Sequence, residues 1–254
     1  MSQFVSGLTS YTRVPAALSR YSLWGYQLIP AVVSLLLSSG MLVAMFYATR
    51  GLAVWVDGKV QLPIQWLDLA VTWATGILGF VVMILGFLFL HKHIVIVILS
   101  PFLSRISETI VRAELGPQPD SVVSKGGTLQ RSLIINTRSV LLEIGLSLLL
   151  IALGFVIPVL SPFTSLTVVL VEARFVGNGL MDFPLEYRGF SVCESVTWSR
   201  RHKATATGIG SGYLLLMLVP VVGWMFAPTF GVVAGTLASL KSLEADNKHE
   251  DSKA

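Results

Sequence analysis

The chain has 254 residues, of which 54% are apolar and only 13% charged, with a mean hydropathy of +0.75. A soluble domain carries about one-quarter charged residues, so this composition excludes an ordinary soluble globule and points to one integral membrane unit. The formal charge of +4 comes from 18 Lys and Arg against 14 Asp and Glu. The basic residues gather at the ends of apolar stretches, where they read as orientation signals rather than a nucleic-acid footprint. The lone Cys193 excludes a disulfide framework or a multi-cysteine metal site.

The N-terminal segment, residues 1–21, is polar, carries Arg13 and Arg20, and shows no short apolar core with a small-residue cleavage site. Residues 28–49 form the first candidate span, about 33 Å of helix against a hydrocarbon core of about 30 Å. Residues 69–90 form the second and run on through His91-Lys92-His93 to about residue 99. His91 and His93 point in different directions on a helix and read as interface residues, not a metal pair.

Ser100-Pro101 has the form of a helix start and Gly116-Pro117 of a stop. Between them Phe102, Ile106 and Ile110 recur every four residues, and Arg105, Glu108 and Arg112 form a second stripe. The spacing predicts an amphipathic cytoplasmic helix continuing from the second span, with a Glu108–Arg112 ion pair. The charged stripe reads either as lining for a pathway or as a solvated face. A polar loop follows at 116–127, and Arg131 and Arg138 read as interface anchors.

The third apolar segment, 144–171, is interrupted by Pro158 and Pro162; the fourth, 204–240, by Pro220 and Pro228. Each reads either as a kinked span or as a helical hairpin. Basic residues favour hairpins. The linker 50–68 holds two Lys or Arg, 91–143 holds six, 172–203 holds five and the tail after 240 holds three. A single crossing at 144–171 would put the five outside, against the positive-inside rule. The expected fold is therefore an all-α integral membrane protein: two long transmembrane helices, two proline-broken and partly penetrating hairpins, and cytoplasmic amphipathic helices. Four to six complete spans is the conventional alternative. The expected organisation is one membrane domain over 1–240 and a polar cytoplasmic tail over 241–254.

Gly177-Asn178-Gly179 and Asp182-Phe183-Pro184 carry turn chemistry. Ser191 to Glu194 fits a capping box opening a helix that ends in Arg200-Arg201-His202-Lys203, a basic cluster suited to lipid headgroups. The pairs Gly208/Gly212 and Gly231/Gly235 suit close helix packing. No nucleotide-binding loop, metalloprotease motif, nucleophile elbow or metal spacing is present, so neither an enzyme, a cofactor nor an intrinsic ATPase is expected.

The run Ser100-Pro-Phe-Leu-Ser-Arg-Ile-Ser-Glu to Glu114-Leu-Gly116 resembles the cytoplasmic helix after the second span in the CysZ family of bacterial sulfate permeases. Asp182-Phe-Pro-Leu-Glu-Tyr-Arg-Gly189, the basic helix ending at Lys203, and Pro220 with Ala227-Pro228 resemble the C-terminal half of that family, whose wider grouping includes the eukaryotic etoposide-induced proteins. The resemblance implies two long transmembrane helices, two partly penetrating hairpins, a homo-oligomer, and sulfate uptake through the bacterial inner membrane with both termini cytoplasmic. It also implies a Gly-Leu-Arg sulfate-binding motif before the proline of the first helix. Counting back from Pro30, the matching positions are Ser22, Leu23 and Trp24, followed by Gly25, so the arginine is absent. Arg20, Ser22, Leu23, Trp24 and Gly25 are the anion-binding candidates, and Arg105, Glu108 and Arg112 the pathway candidates. The expected partners are the lipid bilayer, a small inorganic anion and further copies of the chain, with no nucleic acid. The rival expectation is a membrane-shaping scaffold whose hairpins act as wedges without transport.

Overall fold

A computed structural model of the chain describes residues 2–58, 65–117 and 128–251. The polar loop expected at 116–127 lies outside the described residues beyond 117, as do 252–254 of the tail. The described residues form nine α-helices: α1 (Ser2–Thr9), α2 (Val14–Arg20), α3 (Trp24–Asp57), α4 (Gln65–Leu115), α5 (Thr128–Val156), α6 (Ser161–Tyr187), α7 (Val192–Arg201), α8 (Lys203–Met217) and α9 (Val222–Asp251). By length and composition five stretches are able to cross a membrane: Trp24–Trp55, Leu90–Leu115, Leu133–Gly154, Pro158–Tyr187 and Val222–Asp246. Their outer faces leave Leu36, Tyr47, Trp55, Leu148 and Phe163 exposed, as lipid-facing helices do.

The two proline interruptions are helix–turn–helix joints. Ile157 leaves the helical region, a short 3₁₀ turn Pro158–Leu160 follows, and Pro162 opens α6 in its first turn, where its missing N–H costs nothing. At the second joint Val221 adopts φ +62°, and Val222 N–H donates to the Pro220 carbonyl at 2.7 Å. This is a γ-turn on a β-branched residue, a strained conformation.

Two boundaries differ from expectation. Ser100-Pro101 does not start a helix, because α4 runs unbroken through Pro101 for 51 residues. Its core face explains this: Val95, Leu99, Leu103, Ile106 and Ile110 are all buried on one stripe, so packing overrides the single lost hydrogen bond. Gly177 to Pro184 is helical, not a turn. Gly177 is there for proximity, since a methyl group on it would run into the Ala206 carbonyl, and Pro184 falls in the last turn of α6. The region after 240 continues as helix to Asp251. The expected stop at Gly116 holds, at φ +82°, and so does the capping box, in which Ser191 accepts from Glu194 N–H and the Glu194 carboxylate from Ser191 N–H. Those bonds hold the Glu194 carboxyl below its usual range.

The core lies where the lower half of α4 meets α6, α8 and α9, around Leu99, Leu103, Leu180, Ile209, Tyr213 and Val232. Glycines set its thickness. Gly177 of α6 abuts Ala206 of α8 while Gly210 of α8 abuts Ala173 of α6; Gly7 and Gly208 make the same reciprocal contact between α1 and α8. Gly212 lies on the Tyr11 ring, and Gly231 and Gly235 lie against Leu180, so the packing reading of the glycine pairs holds.

Candidate functional site

Two clusters of polar side chains sit against the long helix pair α3 and α4. The first lies at the N-terminus of α3. The chain leaves α2 through Ser22 at φ +53°, in the left-handed region that favours glycine. Leu23 is buried and its N–H donates to the Leu18 carbonyl at 2.9 Å, fixing the turn. The Gln27 N–H donates to Leu23 at 3.2 Å and begins the helical ladder, which leaves the amides of Trp24, Gly25 and Tyr26 ahead of it. A cavity of about 320 Å³ opens here between Leu23, Tyr26 and, from α4, Arg105, Ile106, Glu108 and Thr109.

This cavity joins residues from both groups singled out in the sequence, Leu23 on one side and Arg105 with Glu108 on the other. Others go elsewhere. Arg20 pairs with Glu114 at 3.4 Å and lies over the Tyr21 ring, whose hydroxyl also donates to Glu114. Burial and then this contact push the Tyr21 phenol above its ordinary range. Trp24 Nε1–H donates to Ser19 at 3.0 Å and its ring stays largely exposed, while nothing approaches Gly25. Arg112 is exposed and does not line the cavity, and the expected Glu108–Arg112 ion pair is not formed. Glu108 turns to the cavity shared with Arg105 instead.

The second cluster was not anticipated. Lys92 of α4 is fully buried, and its Nζ donates to Glu143 of α5 at 2.6 Å and to Glu172 of α6 at 2.7 Å. His93 Nε2 approaches the other Glu143 oxygen at 3.3 Å. Beside Lys92, His91 Nε2 meets Ser38 Oγ of α3 at 2.6 Å, and one turn toward the α4 N-terminus Phe87 lies against Trp224. His91 and His93 are thus interior residues and not interface histidines. A cavity of about 660 Å³, largely apolar, opens from Lys92, Glu143 and Glu172 between the first hairpin and α8. Buried charges persist in such surroundings only when paired and hydrogen-bonded, and here one ammonium serves two carboxylates.

Sequence signals for this cluster existed. Glu143 and Glu172 are the residues that bracket the uncharged stretch 144–171, and Lys92 ends the second one. Singly, each marks the edge of an apolar run; only the fold shows that the three edges coincide.

Arg131 is likewise not a headgroup anchor. Its guanidinium makes a fork with Asp182, Nε at 2.9 Å and Nη2 at 2.6 Å, and also donates to Ser195 Oγ at 2.7 Å and to the Phe190 carbonyl. This clamps the foot of α5 to α6 and α7. In the basic cluster, His202 is buried, stacked on Trp198 at 4.1 Å and 3.4 Å from Asp246, whereas Arg200, Arg201 and Lys203 are exposed.

Five helical stretches able to cross a membrane, two proline-broken joints and a cavity lined by Arg105 and Glu108 at a helix N-terminus describe a multi-pass membrane protein. The chain belongs to the family described as sulfate transporter CysZ/Etoposide-induced protein 2.4, whose model matches residues 12–228. No curated protein sequence matches it.

Proposed function

We propose that the chain is an inner-membrane permease or channel of the CysZ type, passing sulfate or a similar small anion without an ATPase or catalytic activity of its own. The observation that carries the reading is Ser22. It falls where the family motif has glycine, and its φ of +53° is the conformation that a glycine there would serve. Ser22 thus takes up a turn that a glycine would favour, although the motif's arginine is replaced by Trp24. Arg105, reaching the same cavity from α4, supplies the cation, and the free amides of the first turn of α3 supply donors.

Helix lengths support the expected topology. Ser34 Oγ donates to the Trp224 carbonyl at 2.5 Å, so the tip of the second hairpin packs at the level of Ser34 and Phe87. Beyond that level α3 continues to Trp55 and α4 back to Gln65, about 31 and 33 Å of helix at 1.5 Å per residue. The first hairpin rises about 20 Å above Lys92, from Glu143 to Val156, where α4 rises about 40 Å. Two full spans with two partly inserted hairpins fit these lengths, with both termini cytoplasmic. Such hairpins leave their turns in need of protein or water, which further copies of the chain would provide.

Trp24 reports the binding step. Titrating detergent-solubilised protein with sulfate should change tryptophan emission saturably, and the change should vanish in Trp24→Phe and weaken in Arg105→Gln. A sulfate response identical in wild type and Arg105→Gln would contradict the assignment of the cation.

A further inference from the structure

Away from both clusters, a cavity of about 210 Å³ lies in the groove between α5, α6 and α7. Its polar part presents one arginine from each helix: Arg138, Arg174 and Arg200. Among the described residues none of the three is paired with a carboxylate. The one acid in the lining, Asp182, is already committed to both arms of the Arg131 fork. Three uncompensated guanidiniums therefore face a common space.

The groove has a polarity gradient. Along α5 the lining runs from Arg138 to Leu142 and Leu146; along the antiparallel α6 it runs from Asn178 and Arg174 to Val171. The cations sit toward the hairpin's foot and the apolar end toward its tip. Arg138 lies about 7 Å below Glu143 at 1.5 Å per residue, and Arg174 one short step from Glu172. Asn178 adds a chemical detail, since its buried Oδ1 has no hydrogen-bond partner. That acceptor calls for a donor on the ligand.

We infer that this groove is a specific binding site for an anionic phospholipid, with the phosphodiester among Arg138, Arg174 and Arg200, a headgroup hydroxyl donating to Asn178, and an acyl chain along Leu142 and Leu146. A phosphatidylglycerol-type headgroup meets all three demands. A free tetrahedral oxyanion shares the phosphate chemistry but leaves the apolar half and Asn178 unused. The inference rests on the partly inserted first hairpin proposed above, with its charged foot set at the bilayer face, and not on transport.

Native mass spectrometry of the detergent-solubilised protein tests it, with phosphatidylglycerol, phosphatidylcholine and sodium sulfate as separate probes. Wild type should retain phosphatidylglycerol over phosphatidylcholine, and Arg138→Gln, Arg174→Gln and Arg200→Gln should each cut retention about five-fold. Arg201→Gln, on the same helix but outside the groove, should retain it fully. Equal retention of both lipids, or an equal loss in Arg201→Gln, would overturn the proposal. So would sulfate retention that phosphatidylglycerol does not displace. Should a glutamine variant fail to fold, a photoactivatable phosphatidylglycerol on wild type decides: crosslinks at 142–146 or 171–175 support the site, and their absence there refutes it. None of these readouts involves flux, so a failed lipid site and a failed permease are distinguishable.

Discussion

Lys92 Nζ and Glu143 Oε1 stand 2.6 Å apart with both side chains withdrawn from solvent, and the same ammonium reaches Glu172 at 2.7 Å. One lysine on the long helix α4 thereby holds both feet of the first hairpin. Removing it leaves Glu172 without its ammonium and Glu143 with His93 in place of the lysine. Lys92→Met should destabilise the protein by about 3–5 kcal/mol, read as a loss of thermal stability in detergent. Adding Glu143→Gln and Glu172→Gln to Lys92→Met should recover most of that loss. A triple variant no better than Lys92→Met alone would show that packing around the lysine, not charge pairing, sets the stability.

The Arg131–Asp182 fork is the corresponding clamp at the base of α5, α6 and α7. Arg131→Ala should cost about 3 kcal/mol, because it strands a largely buried carboxylate. Arg131→Lys should cost less but not nothing, since an ammonium cannot reproduce the planar fork. Equal melting temperatures for the two variants would argue against a geometric role.

The reciprocal glycine contacts predict steric failure on one pair of faces only. Gly210→Ala puts a methyl group into the Ala173 backbone and should cost about 1–3 kcal/mol. Gly145→Ala, where nothing lies within 4 Å, should be neutral or stabilising by less than about 1 kcal/mol. Unfolding of the two variants side by side checks this.

Much of this was legible in the sequence. Apolar run lengths located α3 and α4, prolines marked both helix–turn–helix joints, and Ser191 with Glu194 marked a cap. What escaped was whatever depends on a neighbour. Pro101 and Gly177 carry strong local signals for a helix boundary, yet both sit inside helices because α4 buries a continuous stripe and Gly177 must approach Ala206. Arg131 and His93 look like interface residues in one dimension and are interior partners in three. At the cavity beside the start of α3 the sequence marked Leu23, Arg105 and Glu108. That these face one cavity, with Arg20 and Arg112 directed elsewhere, follows only from how α4 passes the start of α3.

The strained turn at Val221 offers a simple check on the second joint. Val221→Gly fits φ +62° without a Cβ clash and should stabilise the protein by about 1 kcal/mol. A loss of stability instead would mean that the valine side chain contributes more by packing than its backbone costs.

Restoring the family arginine tests the role assigned to Arg105. Arg105→Gln should lower anion binding, and Trp24→Arg in that background should restore it, since an arginine there would stand at the same start of α3 that Arg105 approaches from α4. Rescue in equilibrium binding supports a shared site, and no rescue argues that the two positions serve different ones.

Flux of labelled sulfate into proteoliposomes is the most direct measurement. Wild type should take up sulfate above empty vesicles, as a permease requires, and Arg105→Gln should be slower by about ten-fold or more, consistent with the loss of one charge-assisted contact. No uptake of sulfate or any other small anion above empty vesicles would contradict the permease function.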